Sequence, residues 1–218
     1  MTNSTRTSNS ARPNAPPHVY DRFAGGYDSA FQPCEKLFLA RWRKQALANL
    51  GALPDGARVL ELGTGTGANF VYYKPETRGV AGEISGRMLE RARGKPRPEG
   101  VHLVQHAAED LPFADDSFDF ALATLVFCSV RSPERAFAEL RRVVRRGGRI
   151  SLLEHVRPEG AILGRGFDLL SRITVPLFED HFNRRTAEIA AVAAGLHVKQ
   201  VERRAWGAVQ FIVCEVRQ

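Results

Sequence analysis

The chain has 218 residues, 44% of them hydrophobic, and a formal net charge of +7. This length suffices for one well-cored domain, predicted at 18–218, and leaves little room for a second. No run of the sequence approaches the ~20 apolar residues of a transmembrane helix.

The cysteines and the positive charge narrow the protein class further. Cys34, Cys128 and Cys214 are widely spaced and show no metal-ligand pattern, so they indicate reduced thiols of a cytoplasmic protein and no metal site. The positive balance favours nucleic acid, anionic lipid or merely solubility. Because no basic patch interleaved with aromatic residues accompanies it, we expect no nucleic-acid partner.

The N-terminal region divides into a tail and a helical cap. Residues 1–17 are rich in Ser, Thr, Asn and Pro and lack an apolar core, which predicts a disordered tail and not a signal peptide. Residues 18–50 form the predicted cap, in which Cys34–Leu50 reads as an amphipathic helix with basic residues such as Arg43. This helix either rests on anionic lipid or packs its leucines on the domain and leaves its charges in water.

A glycine-rich loop follows the cap. The segment Glu61–Gly67 (ELGTGTG) joins an apolar run to a predicted helix, and Glu83 ends the next apolar run. Glycines that let a ligand approach the backbone, followed by an acid for the ribose hydroxyls, indicate a nucleoside site. The alternatives are a glycine-rich turn without a ligand and, for Glu83, a surface acid at the helix start near Ser85.

The spacing of the loop distinguishes between two ligands. A dinucleotide fingerprint has the order GxGxxG and places a helix N-terminus against a pyrophosphate. Here Glu61 precedes the first glycine, and a carboxylate would repel a pyrophosphate but favour a sulfonium or an amino group. The loop therefore suits S-adenosylmethionine (SAM), with S-adenosylhomocysteine (SAH) as the product, better than NAD.

Beyond the loop, strand and helix patterns alternate. Strands are predicted at 57–62, 79–83, 101–105, 118–123, 148–154, 196–204 and 208–216, and helices at 67–73, 85–94, 132–145 and 184–194. This order predicts an α/β fold: a Rossmann-like, doubly wound, mostly parallel seven-stranded sheet with an antiparallel C-terminal hairpin. Residues 155–183 break the rhythm with an apolar stretch around Pro176, and we expect them to form a lid over the acceptor site.

These motifs together resemble the class I SAM-dependent methyltransferases. Within them the chain is similar to the family of ubiquinone/menaquinone methyltransferases, bacterial phosphatidylethanolamine N-methyltransferases and thiol methyltransferase-like proteins. The resemblance covers about residues 20–160 and includes Tyr27-Asp28, the glycine loop and the segment 109–119. Where this family often has an acid that reaches the adenine, the chain has Ala107, so the resemblance implies that the backbone at Ala107 or Ala108 or the side chain of Glu109 serves instead.

The predicted cofactor site combines the loop with its neighbours. Glycines bear the methionine portion, Glu61 and Thr64 hold the amino group or organise the loop, and other side chains flank the adenine or the reactive methyl. Tyr27, Ile84 and Met88 are equally suited to plain packing. The predicted cofactor-binding residues are Tyr27, Glu61, Gly63, Thr64, Gly65, Gly67, Glu83, Ile84, Met88, Ala108, Glu109 and Leu125.

Methyl transfer from a sulfonium needs alignment, exclusion of water and, for an amine acceptor, removal of a proton. The candidate bases are His155, His181 and Asp180, with Glu154 beside them, and each has a structural alternative. The apolar lid favours a small lipophilic acceptor, and basic charge favours peripheral contact with an anionic membrane. We therefore expect N-methylation of a phospholipid amine such as phosphatidylethanolamine; S-methylation of a hydrophobic thiol, C-methylation of a quinol precursor and a SAM-binding regulatory module are the alternatives.

Overall fold

A computed structural model describes residues 19–178, 180–193 and 195–217; the predicted tail at 1–17 lies outside them. The helices are α1 (Val19–Phe23), α2 (Tyr27–Cys34), a π-helical turn (Glu35–Leu39), α3 (Ala40–Ala48), α4 (Gly86–Arg93), α5 (Pro133–Val143), α6 (Ala161–Phe178) and α7 (Thr186–Val192). The strands are β1 (Arg58–Leu62), β2 (Arg78–Glu83), β3 (Val101–Gln105), β4 (Phe118–Thr124), β5 (Val144–His155), β6 (Leu196–Arg204) and β7 (Val209–Val216).

The described strands form one sheet in the order β3-β2-β1-β4-β5-β7-β6. Strands β1 to β5 pair in parallel, whereas β7 pairs antiparallel with both β5 and β6. This arrangement confirms the predicted doubly wound sheet with its C-terminal hairpin. The order reverses direction between β1 and β4, and in open α/β sheets the ligand crevice lies at such a point, beyond the carboxyl ends of the strands.

Apolar side chains on both faces of the sheet form the core. On one face Phe127 and Phe137 of α5 stack at 4.3 Å between ring centroids, in a cluster that also contains Ala190 of α7. On the other face Ala46 and Leu50, from α3 and the turn after it, pack with Leu122 of β4. Helices therefore cover the sheet from two sides and leave its carboxyl edge as the place for a site. Among the described residues, no helix combines the length and the apolarity needed to span a bilayer.

Two predicted helices differ from the structure. The helix expected at 67–73 is wrong: only a 3-10 turn forms, at Phe70–Tyr72, because Gly67 is in the left-handed region (φ +81°) and starts no helix. The helix expected at Cys34–Leu50 is a succession of α2, the π-helical turn and α3. In the predicted lid, Ala161–Phe178 is helical through Pro176.

Candidate active site

The glycine loop lies at the carboxyl end of β1, next to the end of β2. Gly63 and Gly65 have φ values of +64° and +58°, which non-glycine residues rarely adopt. A Cβ at Gly63 would lie 2.5 Å from Val126 Cγ2, so a side chain there would collide with the chain after β4. The Thr64 N–H donates to the Gly82 carbonyl at 2.8 Å and fixes the loop against β2.

Glu83 joins the loop to the end of β2. Its Oε2 accepts the Gly65 N–H at 2.8 Å, and its Oε1 accepts the Ser85 N–H at 2.9 Å. Burial raises the pKa of Glu83, although these two backbone donors act in the opposite direction. The Ser85 hydroxyl itself accepts the Met88 N–H and caps α4, so the cap at this helix comes from Ser85 and not from Glu83.

Glu61 lies beneath the loop. Its carboxylate accepts hydrogen bonds from Asn69 Nδ2 at 2.7 Å and from the Tyr73 hydroxyl. Glu61 is fully buried, and burial raises its pKa. These contacts connect the loop to the 3-10 turn that follows it. Of the two roles predicted for Glu61, they correspond to organising the loop.

A cavity of about 350 Å³ opens beside the loop, within the usual size range of small-molecule sites, roughly 300–1,000 Å³. Most of the predicted cofactor residues line it: Tyr27, Gly63, Thr64, Gly65, Glu83, Ile84, Met88, Ala108, Glu109 and Leu125. Glu61 and Gly67 do not belong to its lining, and neither do the candidate bases. The carboxylate of Glu109 accepts the backbone N–H groups of Arg131 and Ser132, which holds the loop on the far wall in place.

Arg43 lines the cavity, so its predicted position on a solvated or lipid-facing helix surface is wrong. Its side chain is buried and its Nη1 donates to Thr124 Oγ1 at 2.7 Å, while its Nε pairs with Glu35 at 3.2 Å. A buried guanidinium at the cavity wall can bind the carboxylate of an amino-acid ligand. The sequence gives no sign of this, because Arg43 stands among other basic residues of one helix.

Leu125, the first residue after β4, has a strained conformation. It is not glycine, yet its φ is +59°, and its N–H donates to the Leu153 carbonyl at 2.7 Å. Such left-handed residues cost energy and persist where the surrounding structure holds them, commonly at functional sites. The kink turns the chain after β4 across the cavity.

A cover over the cavity comes from α1 and α2. Asp21 accepts hydrogen bonds from Ser85 Oγ at 2.5 Å and from the Arg87 N–H at 3.2 Å. Asp28 accepts Thr66 Oγ1 at 2.5 Å and pairs with Lys95 at 2.9 Å. Each aspartate thus fastens one short helix of the cover to the loop or to α4.

A polar cluster of Cys128, His155 and Asp180 lies next to the cover. Their donor atoms are within 4.8 Å of one another, although the three residues belong to separate segments of the chain. His155 Nε2 is 3.4 Å from Asp180 Oδ1, and the imidazole stacks on Phe182 at 4.2 Å between centroids. Burial opposes a charge on Asp180, but the hydrogen bond and charge of His155 outweigh it and lower the Asp180 pKa.

The cluster lies close to two tyrosines of the cavity wall. Tyr20 and Tyr27 line the cavity, with their rings edge to face at 6.5 Å. Burial raises both pKa values, that of Tyr27 to about 12, and nearby Cys128 and Asp180 contribute in the same direction. The structure therefore brings two of the three candidate bases, His155 and Asp180, together near the cavity. His181 is their neighbour, and its backbone N–H donates to the Cys128 carbonyl at 2.9 Å.

Cysteine, histidine and aspartate are also zinc ligands, so this cluster is where a metal ion could be held. Sequence spacing could not show this set, because the fold assembles it from residues far apart in the chain. Burial and the neighbouring Asp180 raise the pKa of the Cys128 thiol well above its usual value.

Glu154 supports the loop after β4 from below. It is fully buried, and its Oε1 accepts the N–H groups of Val126 at 3.0 Å and Phe127 at 3.1 Å. Burial raises its pKa from 4.5 to about 7, against the effect of these two donors. Glu154 is therefore a structural acid whose charge is costly at neutral pH.

A pH dependence of stability follows from Glu154. Its pKa is higher in the folded than in the unfolded chain, so the folded state binds the proton more tightly and the free energy of unfolding falls as pH rises from 4.5 to about 7. Glu154→Gln keeps an oxygen acceptor without the charge. Between pH 5 and 8 we expect the wild type to lose roughly 2–3 kcal/mol relative to this variant. Urea unfolding of both proteins at the two pH values measures the difference; parallel pH profiles would contradict the prediction.

The chain is similar to several known methyltransferases. Residues 60–152 match the family described as "Methyltransferase domain". The ubiquinone/menaquinone biosynthesis C-methyltransferase UbiE of Pseudoalteromonas translucida is 34% identical over 143 residues, which are 62% of this chain and 57% of that protein. The phosphatidylethanolamine N-methyltransferase of Cereibacter sphaeroides is 35% identical over 117 residues, 52% of this chain and 57% of that protein.

A solved structure covers more of the chain. The SAM-dependent methyltransferase, possible histamine N-methyltransferase, of Thermotoga maritima superposes with a TM-score of 0.68 at 28% identity, over 90% of this chain and 97% of that one. The chain spans a little over half the length of the curated relatives named above. The resemblance drawn from the sequence is confirmed, and with it SAM as the cofactor. Residues 60–152 thus match a methyltransferase domain, and over most of its length the chain is similar to a SAM-dependent methyltransferase.

Proposed function

We propose that the protein transfers a methyl group from SAM to the amine of a small lipophilic acceptor, with phosphatidylethanolamine as the first candidate. The observation that supports this best is the position of Asp180, which lies within 4.8 Å of Cys128, while the next residue, Ser129, lines the cavity together with Tyr20 and Tyr27. A carboxylate and aromatic faces are the groups that attract an ammonium ion. This arrangement favours an amine over a neutral acceptor.

SAM, when bound, supplies a methyl group on a sulfonium whose sulfur becomes the thioether of SAH. Glu83 offers its carboxylate to the ribose hydroxyls, and Arg43 offers its guanidinium to the carboxylate of the methionine portion. Both side chains line the cavity and are held by other contacts before any ligand arrives. Prepositioned groups of this kind supply alignment, which is the main requirement of an in-line displacement.

The acceptor amine must lose a proton before it can attack. An amine with a pKa near ~10.4 is unprotonated in only about one molecule in 10³ at neutral pH. His155 can take this proton, because the carboxylate of Asp180 at 3.4 Å stabilises the imidazolium that results. The acceptor nitrogen gains the methyl group and gives its proton to His155, so the charge balance of the step is complete.

C-methylation of a quinol precursor is the second candidate, because relatives named UbiE match the same part of the chain. A carbon acceptor also loses a proton, and His155 could receive it. A phospholipid or quinol acceptor implies a cytoplasmic protein that contacts a membrane peripherally.

The proposal predicts binding of both SAM and SAH, measured by calorimetric titration, because we expect the cavity residues to contact the nucleoside and amino-acid parts that the two ligands share. Absence of binding would contradict both the enzyme function and the alternative of a SAM-binding regulatory module. Binding without transfer to any acceptor would instead favour the regulatory module.

The acceptor is identified by transfer of radiolabelled methyl to three matched substrates: phosphatidylethanolamine liposomes, demethylquinols and alkyl thiols. We expect label in the phospholipid. A thiol needs less help, since a few per cent of it is already thiolate at neutral pH. Label only in the thiols or only in the quinols would overturn the amine assignment.

A further inference from the structure

Helix α6 presents its apolar side chains to the outside of the molecule. Ile162, Leu169, Ile173 and Leu177 follow one another at intervals of seven, four and four residues and are 91%, 60%, 57% and 56% exposed, respectively. A surface helix of a globular domain normally turns such a stripe towards the core. On α6 the apolar stripe faces away from the core instead.

The inner side of α6 is the more polar one. It includes Gly164 and Ser171, both buried, and Asp168 and Thr174, both half-buried. Thr174 donates its hydroxyl proton to the Asp180 carbonyl at 2.7 Å, which connects the helix to the polar cluster of the site. The orientation of α6 is therefore fixed by polar contacts, and it leaves the apolar stripe outside.

No part of the chain with described structure covers this stripe. Residues 1–18, at the start of the chain, contain Met1 as their single large apolar residue. They therefore offer little apolar surface to cover the stripe. An uncovered stripe of this size on a helix indicates an external apolar partner.

The charges around the stripe have one sign. Arg165 and Arg172 are exposed on α6, whereas Asp168, the acidic residue of the helix, is held by Arg157 through two hydrogen bonds of 2.9 Å. An outward apolar face flanked by arginines is the pattern of a helix that lies in the interface of an anionic bilayer.

The stripe also lies at the edge of the sheet that carries the site. Phe167 of α6 contacts Phe182 at 6.3 Å between ring centroids, and Phe182 stacks on His155. At the same edge, the turn between β6 and β7 exposes Trp206 to 92%, close to Val209, which pairs with His155. Tryptophan is favoured at the boundary between lipid and water.

We propose that α6, together with Trp206, docks on a bilayer containing anionic lipid and holds the candidate active site at the lipid surface. This inference rests on the proposed function for its purpose, since a phospholipid acceptor lies in that bilayer. The docking itself needs neither SAM nor turnover, so it is measured separately from methyl transfer.

Co-sedimentation of the full chain with phosphatidylcholine vesicles, without or with about one third phosphatidylglycerol, tests the docking. We expect binding to the anionic vesicles that weakens as salt is added. The double variant Leu169→Gln/Ile173→Gln is expected to bind at least tenfold more weakly. The control Val192→Gln changes an equally apolar residue, 82% exposed on α7, and is expected to bind like the wild type. SAM titration of each variant verifies that it is folded.

Three outcomes would overturn the proposal. Wild-type protein that stays in the supernatant excludes docking, and so does unchanged vesicle binding by the double variant. The third is a wild-type dimer in analytical ultracentrifugation that the double variant loses, with no vesicle binding, which assigns the stripe to a second copy of the chain. If the protein binds vesicles but labels no phospholipid, the proposed function is rejected and the docking is retained. If it labels dispersed short-chain phosphatidylethanolamine but does not bind vesicles, the docking is rejected and the proposed function is retained.

Discussion

Asp180→Asn is expected to reduce the rate constant of methyl transfer about 100-fold while SAM binds as in the wild type. The variant removes the negative charge that attracts the ammonium ion and that stabilises the imidazolium of His155, 3.4 Å away. Loss of a positioned acid–base group typically costs 10²–10⁴-fold in rate. Single-turnover transfer with saturating SAM, followed from pH 6 to pH 10, measures the effect.

The pH profile separates catalysis from structure. Without a base the rate should rise with pH as the amine itself loses its proton, so the deficit of Asp180→Asn should shrink towards pH 10. A purely structural defect would lower the rate equally at every pH. Asp55→Asn, which removes an exposed carboxylate before β1, is the matched control and should leave the rate unchanged.

His155→Gln completes this test. It should reproduce the Asp180→Asn profile, and the double variant should be little slower than either single variant, because the two side chains act as one unit. Turnover unchanged by His155→Gln with intact SAM binding would remove it as the base. Metal analysis of each purified variant accompanies the kinetics, since zinc lost with Cys128, His155 or Asp180 would assign the cluster to a metal instead.

Glu83→Gln is expected to weaken SAM binding by about 100-fold or more. The charge-assisted hydrogen bonds to the ribose hydroxyls become neutral ones, roughly half as strong. In the wild type each carboxylate oxygen of Glu83 accepts one backbone N–H, from Gly65 or from Ser85. The glutamine amide has only one acceptor oxygen, so one of these two N–H groups loses its partner. A factor of 100 corresponds to about 2.8 kcal/mol of binding free energy.

Calorimetric titration with SAM and SAH checks this result, and Glu90→Gln, an exposed acid on the following helix α4, is the control. A dissociation constant within about threefold of the wild type would show that Glu83 does not hold the ribose. A comparable loss for Glu90→Gln would show that charge near α4, and not the ribose contact, is responsible.

Local patterns were sufficient to predict the sheet and the loop. Each central strand is a short apolar run. Glu61 stands just before the glycines of the loop and Glu83 ends the next apolar run, so a short stretch of sequence contains the whole pattern. The helix at 67–73 failed for a local reason too: Gly67 adopts a conformation that an α-helix excludes. Here the backbone freedom of glycine outweighed the apolar pattern that followed it.

The remaining features depend on contacts that no local pattern contains. Arg43 reads as one of several basic residues on a helix until α3 packs on β4 and places it beside Thr124. Cys128, His155 and Asp180 meet only because two strand ends and the segment after α6 converge. The periodicity of α6 predicts an apolar stripe, but only the packed structure shows that the stripe faces outward.

The cover formed by α1 and α2 has a consequence for the order of events in catalysis. Tyr20 and Tyr27, which line the cavity next to Asp180, belong to the same short helices that Asp21 and Asp28 fasten over it. Opening this cover to exchange SAH for fresh SAM therefore also takes apart the wall against which the acceptor rests. An amine that is methylated more than once would leave between transfers, so successive methylation would be distributive and not processive.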